Sequence, residues 1–192
     1  MSMDKKSHLR RELLARRDHI KGRDARSEAI RERVVASPVF QRARAIHCYL
    51  SIRSEVDTYT LIATALTQGK AVAVPILDSH RRLSHCWVTG VDPADFTEGV
   101  FGTLMPRTIC PASPGDWDLT IVPMLGFDRD GYRIGYGKGY YDRLLATAPT
   151  IAYGVAFSAQ EVACLPHDSY DMPLDSIATE DELIVARSMC VN

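Results

Sequence analysis

Apolar positions along this chain switch repeatedly between a helical spacing and short continuous runs. Residues 4–20 place Leu9, Leu13 and Ile20 on or near one helical face, and 27–36 predict a second helix. Ser37-Pro38 is a helix start, with Ser as cap and Pro in the first turn. Ala45 to Leu50 predicts a strand. Thr58 to Gln68 follows as a helix with Leu61, Ile62, Ala65 and Leu66 inward and Gly69 as terminator. Strands are then expected at Ala71–Pro75, Leu83–Val88, Leu119–Val122, Ile151–Ala156 and Leu183–Val185, and a helix at Gly139–Ala146. The stretch Pro106 to Pro114 is expected to be a loop. Strands separated by helical segments predict an α/β fold, a largely parallel or mixed sheet covered on both faces. No internal repeat, low-complexity tract or linker divides the chain, so residues 1–192 are expected to form a single domain.

Composition narrows the class. Hydrophobic residues make up 46% and charged residues 24%, ordinary for a soluble globular protein. No apolar stretch approaches the roughly 20 residues that span a bilayer, and the N-terminus has no apolar signal region. Its Arg-rich character faintly resembles a transit peptide, but Asp4, Glu12, Asp18 and Asp24 argue against one. The five cysteines (Cys48, Cys86, Cys110, Cys164, Cys190) are dispersed, odd in number and form no C-x-x-C pair. That fits reduced thiols and a cytoplasmic location, not a disulfide frame or zinc site. The net charge is −1, yet residues 1–44 carry 13 Lys or Arg against 6 acids. Nucleic-acid binding is not expected from this bias, because stacking aromatics are missing there and acids interleave the bases.

The chemistry concentrates in Arg133-Ile134-Gly135-Tyr136-Gly137-Lys138-Gly139-Tyr140-Tyr141-Asp142-Arg143. Alternating glycines allow positive φ and present successive N–H groups to an anion. Lys138 adds a point charge and Arg133 a planar donor fork, so a polyphosphate is the natural guest. Gly139 follows Lys138 where a nucleotide P-loop has a magnesium-binding Ser or Thr; a metal would therefore need carboxylates elsewhere, and Asp142 is nearest. The alternative is a tight structural turn, which needs fewer glycines and no flanking cations.

Smaller features carry less. Asp128-Arg129-Asp130-Gly131 lacks the later ligands of a calcium loop and predicts a hairpin turn. Neighbours on a strand face opposite ways, so neither His47-Cys48 nor His85-Cys86 can act as a pair. His167 beside Asp168 suggests a surface loop. Tyr140 and Tyr141 fit either helix packing or a platform for an aromatic substrate. Asp57 fits a helix cap or an acceptor of substrate N–H groups, and Lys6 and Arg10 share one helical face.

The glycine run resembles the signature of the 5-formyltetrahydrofolate cyclo-ligase family, also called 5,10-methenyltetrahydrofolate synthetases. The resemblance extends to Lys6-Ser7-His8-Leu9-Arg10, Glu55-Val56-Asp57-Thr58, Gly69-Lys70, Asp118 to Asp128, Leu165-Pro166 and Tyr170-Asp171-Met172-Pro173-Leu174. It implies a three-layer α/β/α sandwich. It also implies ATP bound by Lys6, Ser7, His8, Leu9 and Arg10 together with the run Arg133 to Tyr141. Folate would lie against Ile52, Asp57 and Tyr136, Gly137, Lys138, Gly139 and Tyr140, and Mg2+ against Asp142 and Asp171. Arg133 and Lys138 would stabilise the transferring phosphate. Met105 departs from the family, which often has Glu before this proline.

The implied reaction is ATP-driven cyclisation of 5-formyltetrahydrofolate, possibly polyglutamylated, with release of ADP and phosphate. Two other classes remain open: a non-catalytic folate- or nucleic-acid-binding relative, and a small-molecule kinase using the same loop.

Overall fold

The computed structural model describes residues 2–77, 82–99 and 102–186; Cys190 lies outside them. The helices are α1 (Ser2–Asp18), α2 (Arg23–Ala36), α3 (Pro38–Arg42), α4 (Tyr59–Thr67) and α5 (Tyr140–Thr147). Eight strands make one sheet: β1 (Ala45–Cys48), β2 (Ala71–Leu77), β3 (Leu83–Val88), β6 (Pro111–Ala112), β7 (Leu119–Val122), β10 (Ile151–Val155), β11 (Ser176–Ala178) and β12 (Leu183–Val185). Two short hairpins stand apart, β4 (Phe96–Glu98) with β5 (Leu104–Pro106) and β8 (Gly126–Phe127) with β9 (Arg133–Ile134).

The sheet order is β12-β11-β10-β7-β1-β2-β3-β6. The five strands from β11 to β2 are parallel, and antiparallel strands close both edges. Alternation across β1 sorts the core into two layers. Ile46 and Cys48 face Ile30, Phe40 and Ile62 of α2, α3 and α4, while Ala45 packs opposite with Trp117 and Leu144, the last on α5. The three-layer α/β/α expectation therefore describes the molecule. After β1 the chain crosses to β2 on one side, whereas β7 and β10 lie on the other. The crevice beyond the carboxyl ends of β1 and β7 is the topological switch point, where ligands of open α/β sheets bind.

Two differences from the expected elements have local causes. Pro106 to Pro114 is not all loop: Pro111 and Ala112 pair with β3 as an edge strand, a place where a missing N–H is tolerated. The first strand ends at Cys48, because Tyr49 and Leu50 bend away to line a cavity. Gly126 has no Cβ because one would lie 2.6 Å from Leu13 Cδ1, so α1 seats directly on the second hairpin. That hairpin turns at Asp128–Gly131, as expected. Asp128 Oδ1 accepts from the N–H groups of Asp130 and Tyr132, and Gly131 has φ 90°.

His47 and His85 lie on the same sheet face, beside Ala73 and Pro75 of β2 respectively, their nitrogens 3.1 Å apart, and His47 stacks on Trp117 at 4.8 Å. Cys48 and Cys86 lie on the opposite face, so the two histidine–cysteine pairs are separated as the strand period requires. Burial pushes His47 well below the ordinary imidazole value of 6.5, with His85 adding to the effect, and burial also lowers His85. The fold thus favours neutral rings. Their stabilisation is complete above pH 6.5 and is lost as pH falls from there through the folded-state values. Between pH 6.5 and 5, denaturant unfolding should lose up to about 1.4 kcal/mol per pH unit for each imidazole. His47→Phe should flatten that slope; an unchanged slope would exonerate the pair.

Candidate active site

A cavity of about 510 Å³ fills the crevice, within the range of small-molecule sites. Tyr49, Leu50 and Ile52 after β1, Pro123 and Met124 after β7, and Pro75 and Leu77 of β2 form its apolar wall. The glycine loop from Gly135 to Gly139 runs between β9 and α5 along its other side. Gly137 and Gly139 have φ of 84° and 65°, which excludes most side chains, and Gly139 opens α5 without a side-chain cap. Gly137 has a second reason to lack a Cβ, which would lie 2.9 Å from the Arg10 guanidinium carbon. Gly135 has open space beside it and an ordinary φ.

Helical spacing decides which N-terminal residues arrive. Lys6 and Arg10 line the cavity, and Arg10 Nε donates to Gly135 O at 3.0 Å. Ser7 and His8 point outward and are exposed, and Leu9 packs toward Leu13, so these three do not form part of the cavity wall. Of the Lys6–Arg10 run, only the positions four apart share the face toward the cavity. Lys6 Nζ donates at 2.8 Å to both Asp168 and Asp171.

Arg133 is nearly buried. It donates to Asp142 Oδ1 at 2.7 Å and to Met172 O at 2.6 Å. Burial lowers its pKa, opposed by the Asp142 carboxylate. Burial would raise Asp171, but the Lys6 ammonium, the Asp168 N–H and Arg133 outweigh it and hold the carboxyl below the usual range. Lys138 is exposed at the rim, with no hydrogen bond or ion pair from its ammonium to the described residues. Tyr140 and Tyr141 both border the cavity. Tyr141 is also core, its ring 6.2 Å from that of His47, so packing and lining are combined in one residue.

Asp57 lies just before α4. It does not line the cavity; Oδ1 accepts from Tyr59 N at 3.2 Å and Oδ2 from Thr60 N at 3.3 Å, capping the first turn of α4. Glu55, two residues earlier, does line the cavity, as do Asp142 and Asp171 elsewhere on its wall. Glu55 Oε2 accepts from Ile52 N at 3.0 Å, and its Oε1 lies 3.4 Å from Tyr136 OH and 3.8 Å from Arg17. Burial raises the Glu55 pKa; Ile52 N–H, Arg17 and Tyr136 resist the rise. Ile52 lines the wall as expected, whereas Met105 points away from it between Leu104 and Pro106. Asp57→Ala should therefore cost about 1 kcal/mol of stability through the lost cap, with substrate KM values unchanged in steady-state assays.

A ligand-sized crevice at an α/β switch point, with clustered cations, marks a ligand-binding α/β protein with a polyanion-favouring edge. Comparison with known proteins is more specific. Residues 2–180 match the model of the 5-formyltetrahydrofolate cyclo-ligase family, and the chain belongs to that family. It is 30% identical over 169 residues to the 5-formyltetrahydrofolate cyclo-ligase of Mus musculus, covering 78% of this chain and 80% of the relative. The Mycolicibacterium smegmatis enzyme is 29% identical over 195 residues, covering 97% and 99%. Among solved structures, Aquifex aeolicus 5,10-methenyltetrahydrofolate synthetase superposes with a TM-score of 0.82 at 34% identity, covering 95% and 93%.

Proposed function

We propose that this protein cyclises 5-formyltetrahydrofolate to 5,10-methenyltetrahydrofolate at the expense of ATP, with residues 1–192 acting as one unit. The observation that carries the reading is the convergence of Lys6, Arg10, Arg133 and the glycine loop on one edge of a crevice whose opposite wall is largely apolar. A formyl amide is resonance-stabilised, and its oxygen leaves poorly. Attack by that oxygen on the γ-phosphorus of ATP forms an O–P bond, breaks the bond to the ADP oxygen, and leaves phosphate as the new leaving group. The neighbouring anilino nitrogen then bonds to the formyl carbon, loses its proton, and phosphate departs with the C–O bonding pair.

Catalysis here is positioning and charge stabilisation. Arg10, Arg133 and Lys138, with the loop N–H groups, take the phosphates, and Ile52, Leu50 and Tyr136 take the folate rings. Glu55 is the acceptor for pterin N–H groups in this reading, since it lines the cavity beside Ile52 and Tyr136, away from Asp142 and Asp171. Asp142 and Asp171 suit Mg2+, which binds through one or two carboxylates plus phosphate oxygens. Asp142 Oδ2 and Asp171 Oδ1 carry no hydrogen bond from described residues. Bound there, the ion would neutralise phosphate charge. No helix among the described residues is long and apolar enough to cross a membrane; the dispersed free thiols support a cytoplasmic enzyme. Polyglutamylated folate is accommodated in the same proposal as a tailed form of the substrate.

The test is purified protein with ATP, magnesium and 5-formyltetrahydrofolate, followed by ultraviolet absorbance. The conjugated product should appear at longer wavelength, one for one with ADP. Turnover without nucleotide would refute the ligase reading, and a stable phosphorylated folate without free phosphate would indicate a kinase.

A further inference from the structure

We infer that Arg17 is a positioning residue for folate recognition, holding Glu55 and Tyr136 in place from behind the cavity wall. The inference rests on Glu55 being the pterin acceptor proposed above. Arg17 lies three turns along α1 from Lys6 and is 1% exposed, yet it does not line the cavity. Its guanidinium joins three separate parts of the site. Nε donates to Ser54 Oγ at 3.1 Å in the β1–α4 loop, and NH1 to Met124 O at 3.3 Å after β7. NH2 donates to Tyr136 OH at 2.7 Å in the glycine loop, while NH1 stands 3.8 Å from Glu55 Oε1. Ser54 Oγ in turn donates to Asp18, so the loop carrying Glu55 is tied twice to α1.

A fully buried guanidinium is costly unless its donors and charge are matched. Here the match is made by the two cavity residues that face the pterin end. A lysine would supply charge without the planar fork that reaches three loops at once. Other groups around Glu55 are weaker substitutes. Arg53 is on its own loop, Tyr49, Tyr59 and Tyr141 approach from the segment just after β1, from α4 and from α5, and none of the tyrosines carries positive charge. Removing Arg17 therefore leaves a buried carboxylate without its nearest counter-charge, which favours its protonation. It also frees the Tyr136 hydroxyl from its donor.

The test is a double-mutant cycle on the full chain with Arg17→Met and Glu55→Gln, reading KM for folate and for ATP separately. Arg17→Met should raise folate KM roughly tenfold, as for loss of a hydrogen bond to a charged group, with ATP KM nearly unchanged. That folate KM should fall as pH rises, because the carboxylate is regained, and it should do so more steeply than in the wild type. In a Glu55→Gln background, Arg17→Met should add much less, since both act on one interaction. Arg17→Lys restores the wild-type pH dependence by keeping the charge, and it is the variant read if Arg17→Met does not fold. Additive effects, or equal losses for ATP and folate tracking a fall in Tm, would reduce Arg17 to scaffold. A Glu55→Gln enzyme with unchanged folate KM would overturn the Glu55 assignment itself, and this inference with it.

Discussion

Lys138→Met is expected to lower kcat about 100- to 1000-fold, the effect of removing one preorganised donor to developing charge. The substitution keeps length and helix-compatible character but deletes the ammonium. Lys138 is exposed and packs into no core cluster, so stability should be nearly unchanged. Folate affinity, measured by calorimetry without nucleotide, should also move little. Asp142→Asn makes the informative contrast. It weakens the Arg133 pair and one carboxylate of the proposed ion site, and its activity should recover partly at high magnesium. Lys138→Met should show no such recovery. Equal rescue of both would mean the two roles are wrongly divided, and wild-type rates in both would return the glycine run to the status of a turn.

Glu55→Gln is the second large effect. The side chain keeps its shape and can still accept one hydrogen bond, but it cannot offer a charged acceptor to pterin N–H groups. A lost hydrogen bond to a charged group is worth about 1.5–3 kcal/mol, or roughly 10- to 150-fold in folate KM. ATP KM should be spared, because Glu55 contacts Ile52, Tyr136 and Arg17 and not the cations at the loop's far side. Some stability should also be lost, since the buried Arg17 keeps its charge while its partner does not. If Asp57→Ala raises folate KM and Glu55→Gln does not, the original sequence assignment is right and the cap reading is wrong.

Much of this was legible beforehand because period and burial coincide. Leu119–Val122 and Leu183–Val185 form strands with the expected bounds, since short apolar runs bounded by turn residues leave little choice. Helix α4 follows from Leu61, Ile62 and Ala65 facing inward. The site was harder, for definite reasons. Glu55 and Asp57 are both acids at a strand-to-helix junction, and only the bend of the loop decides which carboxylate faces the crevice. Arg17 had a signal that went unread: with Lys6, Arg10 and Leu13 it forms a stripe at four-, three- and four-residue steps, the inward face of α1. A cation on such a stripe is buried and needs partners. The meeting of His47 and His85 could not be seen, because it depends on β2 lying between β1 and β3 with Ala73 beside His47 and Pro75 beside His85.

The clasp between Lys6 and the segment at Asp168–Asp171 spans 162 and 165 residues of chain, and this has a consequence for biogenesis. Contacts so distant in sequence form late, because the entropy of closing the intervening loop must be overcome first. As the chain leaves the ribosome, α1 emerges ahead of the β8–β9 hairpin on which it seats by more than a hundred residues. Until then Leu9 and Leu13 lack their partners Leu125, Ile134 and Leu165, and Arg17 lacks the acceptors that match its charge. A pulse-labelled nascent chain should resist protease across β1, α4 and β2 before α1 is protected. Nucleotide binding should appear abruptly, only once Asp171 has cleared the exit tunnel.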